Sequence, residues 1–306
     1  MSRSAGISRF EFTEKRIRDV FADAGCVGWL HARRIGPGSA APTACIDVDS
    51  DALVVTASVY KLPLMVALCR AFDSGELSPT DTVRVDPATC TLGPTGLSIF
   101  QDPVELSVRD LARSMMTVSD NGAADIILRM VGLESVAKVL ADLSLSRTRI
   151  VGGTDDAHRM LRADMDVHTT REAFESLADS FDERTSAVYD PAFASATTPR
   201  EMTTLLDAIW TGEAVSHVST KLVKRVMSEQ IWPHRIRSGF PYSGVVVSGK
   251  TGTIGAIRNE VAVVEFPGET AVAVAVFTRA ARADPLLPVV DQAIGRAAHL
   301  AVTELR

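Results

Sequence analysis

Three short groups of residues in this chain carry side chains able to do acyl chemistry: Ser58-Val59-Tyr60-Lys61, Ser119-Asp120-Asn121 and Lys250-Thr251-Gly252. A serine hydroxyl is a poor nucleophile until a base takes its proton. On a helix, residues three apart share a face, so Lys61 stands one turn beyond Ser58 and within hydrogen-bond reach of it. Lys61 can be that base only if burial or a neighbouring cation brings its pKa towards neutrality, and Lys250 across a cleft is such a neighbour. A helix N-terminus at Ser58 adds partial positive charge, which favours an incipient alkoxide and offers a backbone N–H to an oxyanion. Any one group alone is a weak signal. Their order and placement make the case.

The elements that must position these groups are legible in outline. Residues Ser8 to Ala24 set Phe10, Phe12, Ile17, Val20 and Phe21 among charges, the pattern of an amphipathic opening helix. GWLHARRI (28–35) and ACIDVDSDAL (44–53) read as a β-hairpin around the Gly/Pro-containing loop GPGSAAPT. From Ser58 to about Ile231 the apolar residues recur every three or four positions, so the middle is helical. Thr198-Pro199-Arg200-Glu201 opens one of these helices, with Thr198 as N-cap, Pro199 at the first helical position and Glu201 completing a capping box. GVVVSGKTG (244–252), NEVAVVEFP (259–267) and TAVAVAVFT (270–278) are strands, and a terminal helix runs from about Leu286 to Leu305. In this reading the first motif opens a helix, the second lies between two helices and the third ends a strand.

With these motifs in this order, and with LSVRDLARSMMTVSDNGAAD, the TTPREM helix start and KTGTIGAIRNEVAVVEFP around them, the chain from about residue 10 to 305 resembles the class A β-lactamase-like serine hydrolases. The resemblance implies an α/β (α+β) fold of the β-lactamase/transpeptidase type, in which an antiparallel sheet from both chain ends packs with a mostly helical subdomain. A single domain would then comprise an α/β subdomain of residues 1–57 and 240–306 and a helical subdomain of 58–239, with an enlarged loop at about 150–196. It also implies roles. Ser58 is the nucleophile, Lys61 its base, and Ser119 relays the proton to the leaving group. Asn121 holds a substrate amide. Lys250 and Thr251 receive a carboxylate or developing negative charge. Gly252 lets substrate approach the strand edge, and the Thr253 N–H is the second oxyanion donor. Asp120 reads as structural, since a loop Asp usually bonds its own backbone.

One departure stands out. The family places a Glu between the second and third motifs, in an E-x-x-x-N run, to activate the deacylating water. This chain has no such run, and the stretch from Asn121 to Thr197 is longer than the resemblance predicts. Asp155, Asp156 or another acid there could substitute. The blander reading is favoured, because Arg171 to Glu183 alternates charges and apolar residues as a solvated helix face does. The missing Glu argues against efficient β-lactam hydrolysis. Ester or activated-amide hydrolysis, with Lys61 as base in both half-reactions, needs no extra acid. A long segment in a compact domain is more often a binding lid than slack.

Composition narrows the classes. The chain has 306 residues, 46% hydrophobic and 23% charged, with a net charge of -6. That is enough to bury a substantial core, with no basic footprint for nucleic acid and no polybasic anchor for lipid. The N-terminal run MSRSAGISRFEFTEKRIRDVF has no apolar secretory stretch, which predicts a cytoplasmic protein if this is the native start; a chain trimmed of its leader would read the same. Cys26, Cys45, Cys69 and Cys90 show no metal-ligand spacing and read as buried free thiols. The six histidines are scattered, so no metal is expected, and His158 is singled out only because its segment should border the site. Trp210 reads as core, Trp232 as core or cleft rim, Arg258 as a surface residue and Gly152-Gly153 as a turn.

The expected reaction is therefore acylation of Ser58 and its hydrolysis, without metal or organic cofactor. The substrate is a small molecule with an acyl group and a carboxylate, and the oligomeric state is left open. Two rivals stand beside it: a cytoplasmic acyltransferase or cyclase of a biosynthetic pathway, and a non-catalytic ligand-binding relative.

Overall fold

A computed structural model describes residues 8–36, 44–179 and 186–306. In chain order the elements are α1 (Arg9–Asp23), β1 (Cys26–Arg34), β2 (Cys45–Val48), β3 (Val54–Val55), a 3₁₀ turn (Ala57–Tyr60), α2 (Lys61–Ser74), β4 (Thr82–Val85), β5 (Val104–Ser107), α3 (Val108–Thr117), α4 (Asn121–Val131) and α5 (Leu133–Asp142). There follow α6 (Thr154–Met165), α7 (Thr170–Asp179), β6 (Ala196–Thr197), α8 (Pro199–Thr211), α9 (His217–Ser228), β7 (Val246–Ile254), β8 (Ile257–Glu265), β9 (Val272–Ala280) and α10 (Pro288–Leu305).

The two chain ends meet in one antiparallel sheet, ordered β2-β1-β9-β8-β7. β1 and β9 pair along their whole length, from Cys26 opposite Ala280 to Arg34 opposite Val272. Alternate residues of the central strands serve different cores, as the period of two dictates. Val264, Val272, Val274 and Val276 pack with Ile17, Phe21, Ile294, Ala298 and Val302 of α1 and α10. Val261, Val263, Ala273, Ala275 and Phe277 face the helical core instead. With both faces covered, β8 and β9 are buried almost throughout, Arg258, Asn259 and Glu260 of β8 included.

Within the helical half, α2 is buried over most of its surface, through Leu62, Leu64, Met65, Val66, Leu68 and Cys69, and it packs against α3, α4, α5 and α9. A helix apolar on all sides belongs at the centre of a bundle. This one carries Lys61 in its first turn, so the first motif is anchored in the packed centre of the helical half.

Several expectations change. The loop of the first hairpin lies at residues 37–43, outside the described residues, as do 180–185 beyond α7. The short pairs β3–β6 and β4–β5 carry no periodicity a sequence could display. Thr198 does cap α8, accepting from Glu201 N at 3.1 Å. The Glu201 carboxylate, however, turns to Arg147 N and Thr148 Oγ1 instead of closing a capping box. The described part of the stretch 150–196 carries α6 and α7, which bury Leu161, Ala173 and Leu177 with Val188 and Tyr189 against Ile254, Ala256 and Ile257 at the β7–β8 turn. Arg258 is 3% exposed, a buried residue. Its guanidinium donates to the carbonyls of Gly255, Ile257, Asp284 and Pro285. All four cysteines are free, but only Cys69 is fully buried. Among the described residues no helix is long and apolar enough to cross a membrane.

Candidate active site

The 3₁₀ turn holding Ser58 runs directly into α2, so Ser58 sits at a helix entrance. Two contacts press this turn against the sheet. Asn259 of β8 donates from Nδ2 to the carbonyls of Val55 and Thr56, at 2.9 and 3.2 Å. Gly252 of β7 lies so close that a Cβ there would meet Thr56 O at 2.6 Å and Ser58 N at 3.2 Å. Only a glycine lets strand and turn approach this far. The third motif lies inside β7 and does not end it, since the strand continues to Ile254.

Strand period also orients the β7 backbone. Thr251 N donates to Gln230 Oε1 at 2.7 Å, away from β8, on the free edge of the sheet. Thr253 N, two residues on, therefore points out from the same edge, towards the cleft beside Ser58. Behind the strand, Gln230 Nε2 donates to Glu260 Oε1 at 2.8 Å, and Ile236 N donates to Glu260 Oε2 at 2.6 Å. Gln230 and Glu260 thus fix the edge. Their spacing in sequence gives no hint of this, beyond the Asn259-Glu260 pair that belongs to the resemblance.

Ser119 lies between α3 and α4 with φ at 62°, in the left-handed region that costs a non-glycine residue about 1 kcal/mol or more. The strain is held by Asp120, fully buried, whose carboxylate accepts from Leu97 N at 2.9 Å, Ser114 Oγ at 2.7 Å and Ala123 N at 3.1 Å. Lys61 Nζ donates to Ser119 O at 2.7 Å and Asn121 Oδ1 at 2.8 Å, with Ser119 Oγ and Asp120 O at 3.4 Å. Lys250 Nζ donates to Ser119 Oγ at 2.9 Å and Thr251 O at 2.8 Å. The Ser119 hydroxyl accepts from both ammonium groups, so its own proton is free to be given to a third group.

Both lysines are wholly buried. Burial brings Lys61 down to about 7, against the opposing pull of the Asp120 and Asp125 carboxylates. Lys250 is lowered well below the usual amine range by burial, then by the charges of Lys61 and Arg235, with Glu260 opposing. Arg235 is itself buried, paired with Asp291 at 2.7 Å and donating to Gly252 O and Thr253 Oγ1 at 2.9 and 2.7 Å. This guanidinium was invisible in the sequence, where it stands in an unremarkable loop far from the third motif.

The motifs thus come together around one cleft, with two differences from expectation. No hydrogen bond joins Ser58 Oγ to Lys61 Nζ; the lysine is drawn instead to the carbonyl and amide oxygens of the second motif. The Asn121 amide also donates to Leu92 O at 2.8 Å, which fixes its orientation.

Among the described residues of the 150–196 segment, which leave out Asp182 and Glu183, no acid is bonded to Ser58 or Lys61. Asp155 and Asp156 occupy the first turn of α6 and pair with Arg159. The residue that approaches the second motif is Thr154, which bonds Tyr60 Oη at 3.0 Å and Asn121 Oδ1 at 3.5 Å. Asp125 is committed to capping α6, accepting from Thr154 N, Asp155 N and Thr91 Oγ1. Gly153 leaves room for that cap, since a Cβ there would strike Asp125 Oδ1. His158 is buried in the wall of the same cavity, edge-on to Phe174 with ring centroids 5.6 Å apart. The cavity measures about 800 Å³ and reaches Ser58, Ser119, Asn121, Thr251 and Thr253, with Trp232 at its border.

A family model of the beta-lactamase enzyme family matches residues 13–305, and the chain belongs to that family. It is 28% identical over 281 residues to the beta-lactamase regulatory protein BlaB of Streptomyces cacaoi, covering 86% of this chain and 88% of that protein. The fold superposes on a beta-lactamase of Sphaerobacter thermophilus with a TM-score of 0.76 at 23% identity, covering 97% of this chain and 98% of the other. It also superposes on a PBP-A mutant in acyl-enzyme complex with penicillin G, with a TM-score of 0.72 at 19% identity, covering 95% of this chain and 96% of that one.

Proposed function

We propose that this member of the beta-lactamase enzyme family is a serine hydrolase that works through an acyl-enzyme on Ser58. The observation that carries the reading is Lys61: a buried amine brought to about 7, bonded into the Ser119 loop next to the helix entrance at Ser58. An amine poised near neutrality is a competent general base.

In the acylation step Ser58 Oγ attacks the substrate carbonyl and its proton passes to neutral Lys61. The Ser58 and Thr253 N–H groups receive the oxyanion. As the intermediate collapses, the leaving nitrogen or oxygen takes the Ser119 hydroxyl proton, and Lys61 replaces it. Lys250, Thr251 and the Arg235 charge favour a substrate bearing a carboxylate. Water then attacks the ester with Lys61 again as base. Among the described acids of the 150–196 segment and its cap, Asp125 is spent on capping α6 and Asp155 and Asp156 pair with Arg159, which favours slow release of acyl groups from β-lactams.

A second reading has one observation behind it. The Streptomyces cacaoi relative is a regulatory protein, and a slowly released acyl-enzyme suits a protein that registers an acylating ligand instead of destroying it. Intact-mass measurement separates the two. Wild type and Ser58→Ala are incubated with a fluorophosphonate, a penicillin and a chromogenic short-chain ester. One adduct and ester turnover, both lost in Ser58→Ala, support the hydrolase. A long-lived penicillin adduct with no ester turnover favours the regulatory reading, and no labelling by any probe on folded protein removes both.

A further inference from the structure

The cavity does not stop at the reacting groups. It continues from Ser58 between α6, α7 and the β7–β8 turn, where Met160, Phe174, Val188, Ile254 and Leu286 line it. We propose that this extension is a chamber for the acyl side chain, and that the substrate is an ester or amide of an extended apolar acyl group. The proposal rests on the serine-hydrolase reading and adds the substrate class to it.

Three observations support it. First, the wall is built and not slack: α6 and α7 have their own core in Leu161, Ala173 and Leu177, and Asp125 caps α6. Second, the charged groups along this stretch are bonded elsewhere or stand at its mouth, as Asp284 does, half-buried two residues from Leu286. Asp156 accepts from Gly153 N at 2.8 Å and pairs with Arg159, the Arg258 guanidinium is spent on four carbonyls, and Arg171 stands exposed at the rim. Burial takes His158 down to about 4, so it is neutral at pH 7. Third, apolar surface is left open there: Phe174 is only half-buried, and Leu286 is 83% exposed at the mouth. A cavity of about 800 Å³ is of the size that encloses a drug-sized ligand, far more than an acetyl group fills.

The test is a p-nitrophenyl ester series from acetyl to decanoyl, each kcat/KM divided by the ester's own hydroxide-catalysed rate. Burial of a methylene is worth up to about fourfold in binding, so the normalised constant should rise at least tenfold from acetyl to hexanoyl and level off once the chamber is full. Met160→Trp, which fills the chamber, should flatten the rise. Phe174→Ala should move the plateau to longer chains, with circular dichroism reporting the fold of each variant. Acetyl turnover with a flat or falling series in the wild type overturns the chamber and leaves the serine mechanism standing. If no ester acylates Ser58, both fall together.

Discussion

Replacing Gly252 by alanine tests the most demanding contact in the site. The added Cβ would lie 2.6 Å from Thr56 O, 3.1 Å from Val59 Cγ2 and 3.2 Å from Ser58 N. Thr56 O is backbone, fastened by Asn259 and followed directly by the 3₁₀ turn, so it cannot rotate away. To restore ordinary contact at 3.4 Å, β7 and the turn must part by most of an ångström. Thr253 N rides on that strand and Ser58 N on that turn, so the two oxyanion donors separate. Loss of one such donor costs on the order of 100-fold or more in rate, and a misplacement of this size costs about 100-fold. Overpacking adds about 1–3 kcal/mol of destabilisation. The assay is the second-order rate constant for fluorophosphonate labelling, followed by intact mass, alongside thermal melting. Gly28→Ala is the control: its Cβ would strike the Phe21 ring, between β1 and α1 and away from the Ser58 turn. It should lower the melting temperature similarly and slow labelling far less. Labelling of Gly252→Ala within threefold of wild type, on folded protein, would refute the argument that the turn and strand must touch.

Two titrations carry further predictions. Labelling should rise with pH through a midpoint near 7 as Lys61 loses its proton, and Asp125→Asn should move that midpoint down, since the Asp125 charge holds the lysine up; a midpoint that stays put or rises removes Lys61 as the base. Burial raises Glu260 from 4.5 to about 7, so the folded state binds more protons than the unfolded one between those values, and its contribution to stability falls as pH rises through that window. Glu260→Gln should flatten that part of the melting-temperature profile. The variant should also lose about 1–3 kcal/mol, because an amide cannot accept from both Ile236 N and Gln230 Nε2. An unchanged pH slope would show that Glu260 is not the group responsible.

The sequence by itself determined the motifs, their order and the sheet shared by the chain ends. Those signals are local: Ser58 and Lys61 share a helix face three residues apart, Thr198 and Pro199 start a helix wherever they stand, and the valine runs of β8 and β9 are buried strands in any setting. Tertiary structure decided what those residues do to one another. The depression of Lys61 and Lys250 is chiefly a matter of desolvation, which depends on everything packed around them. Arg235, Gln230 and Glu260 join the site through hydrogen bonds to backbone atoms, and backbone atoms leave no mark on residue type. Arg258 looked like a surface charge because four carbonyl oxygens at a turn are not written in side chains. The same reason governs the 150–196 segment. Its periodicity announced at most one amphipathic helix, and only the β7–β8 turn lying against α6 and α7 made their apolar faces the wall of a cavity.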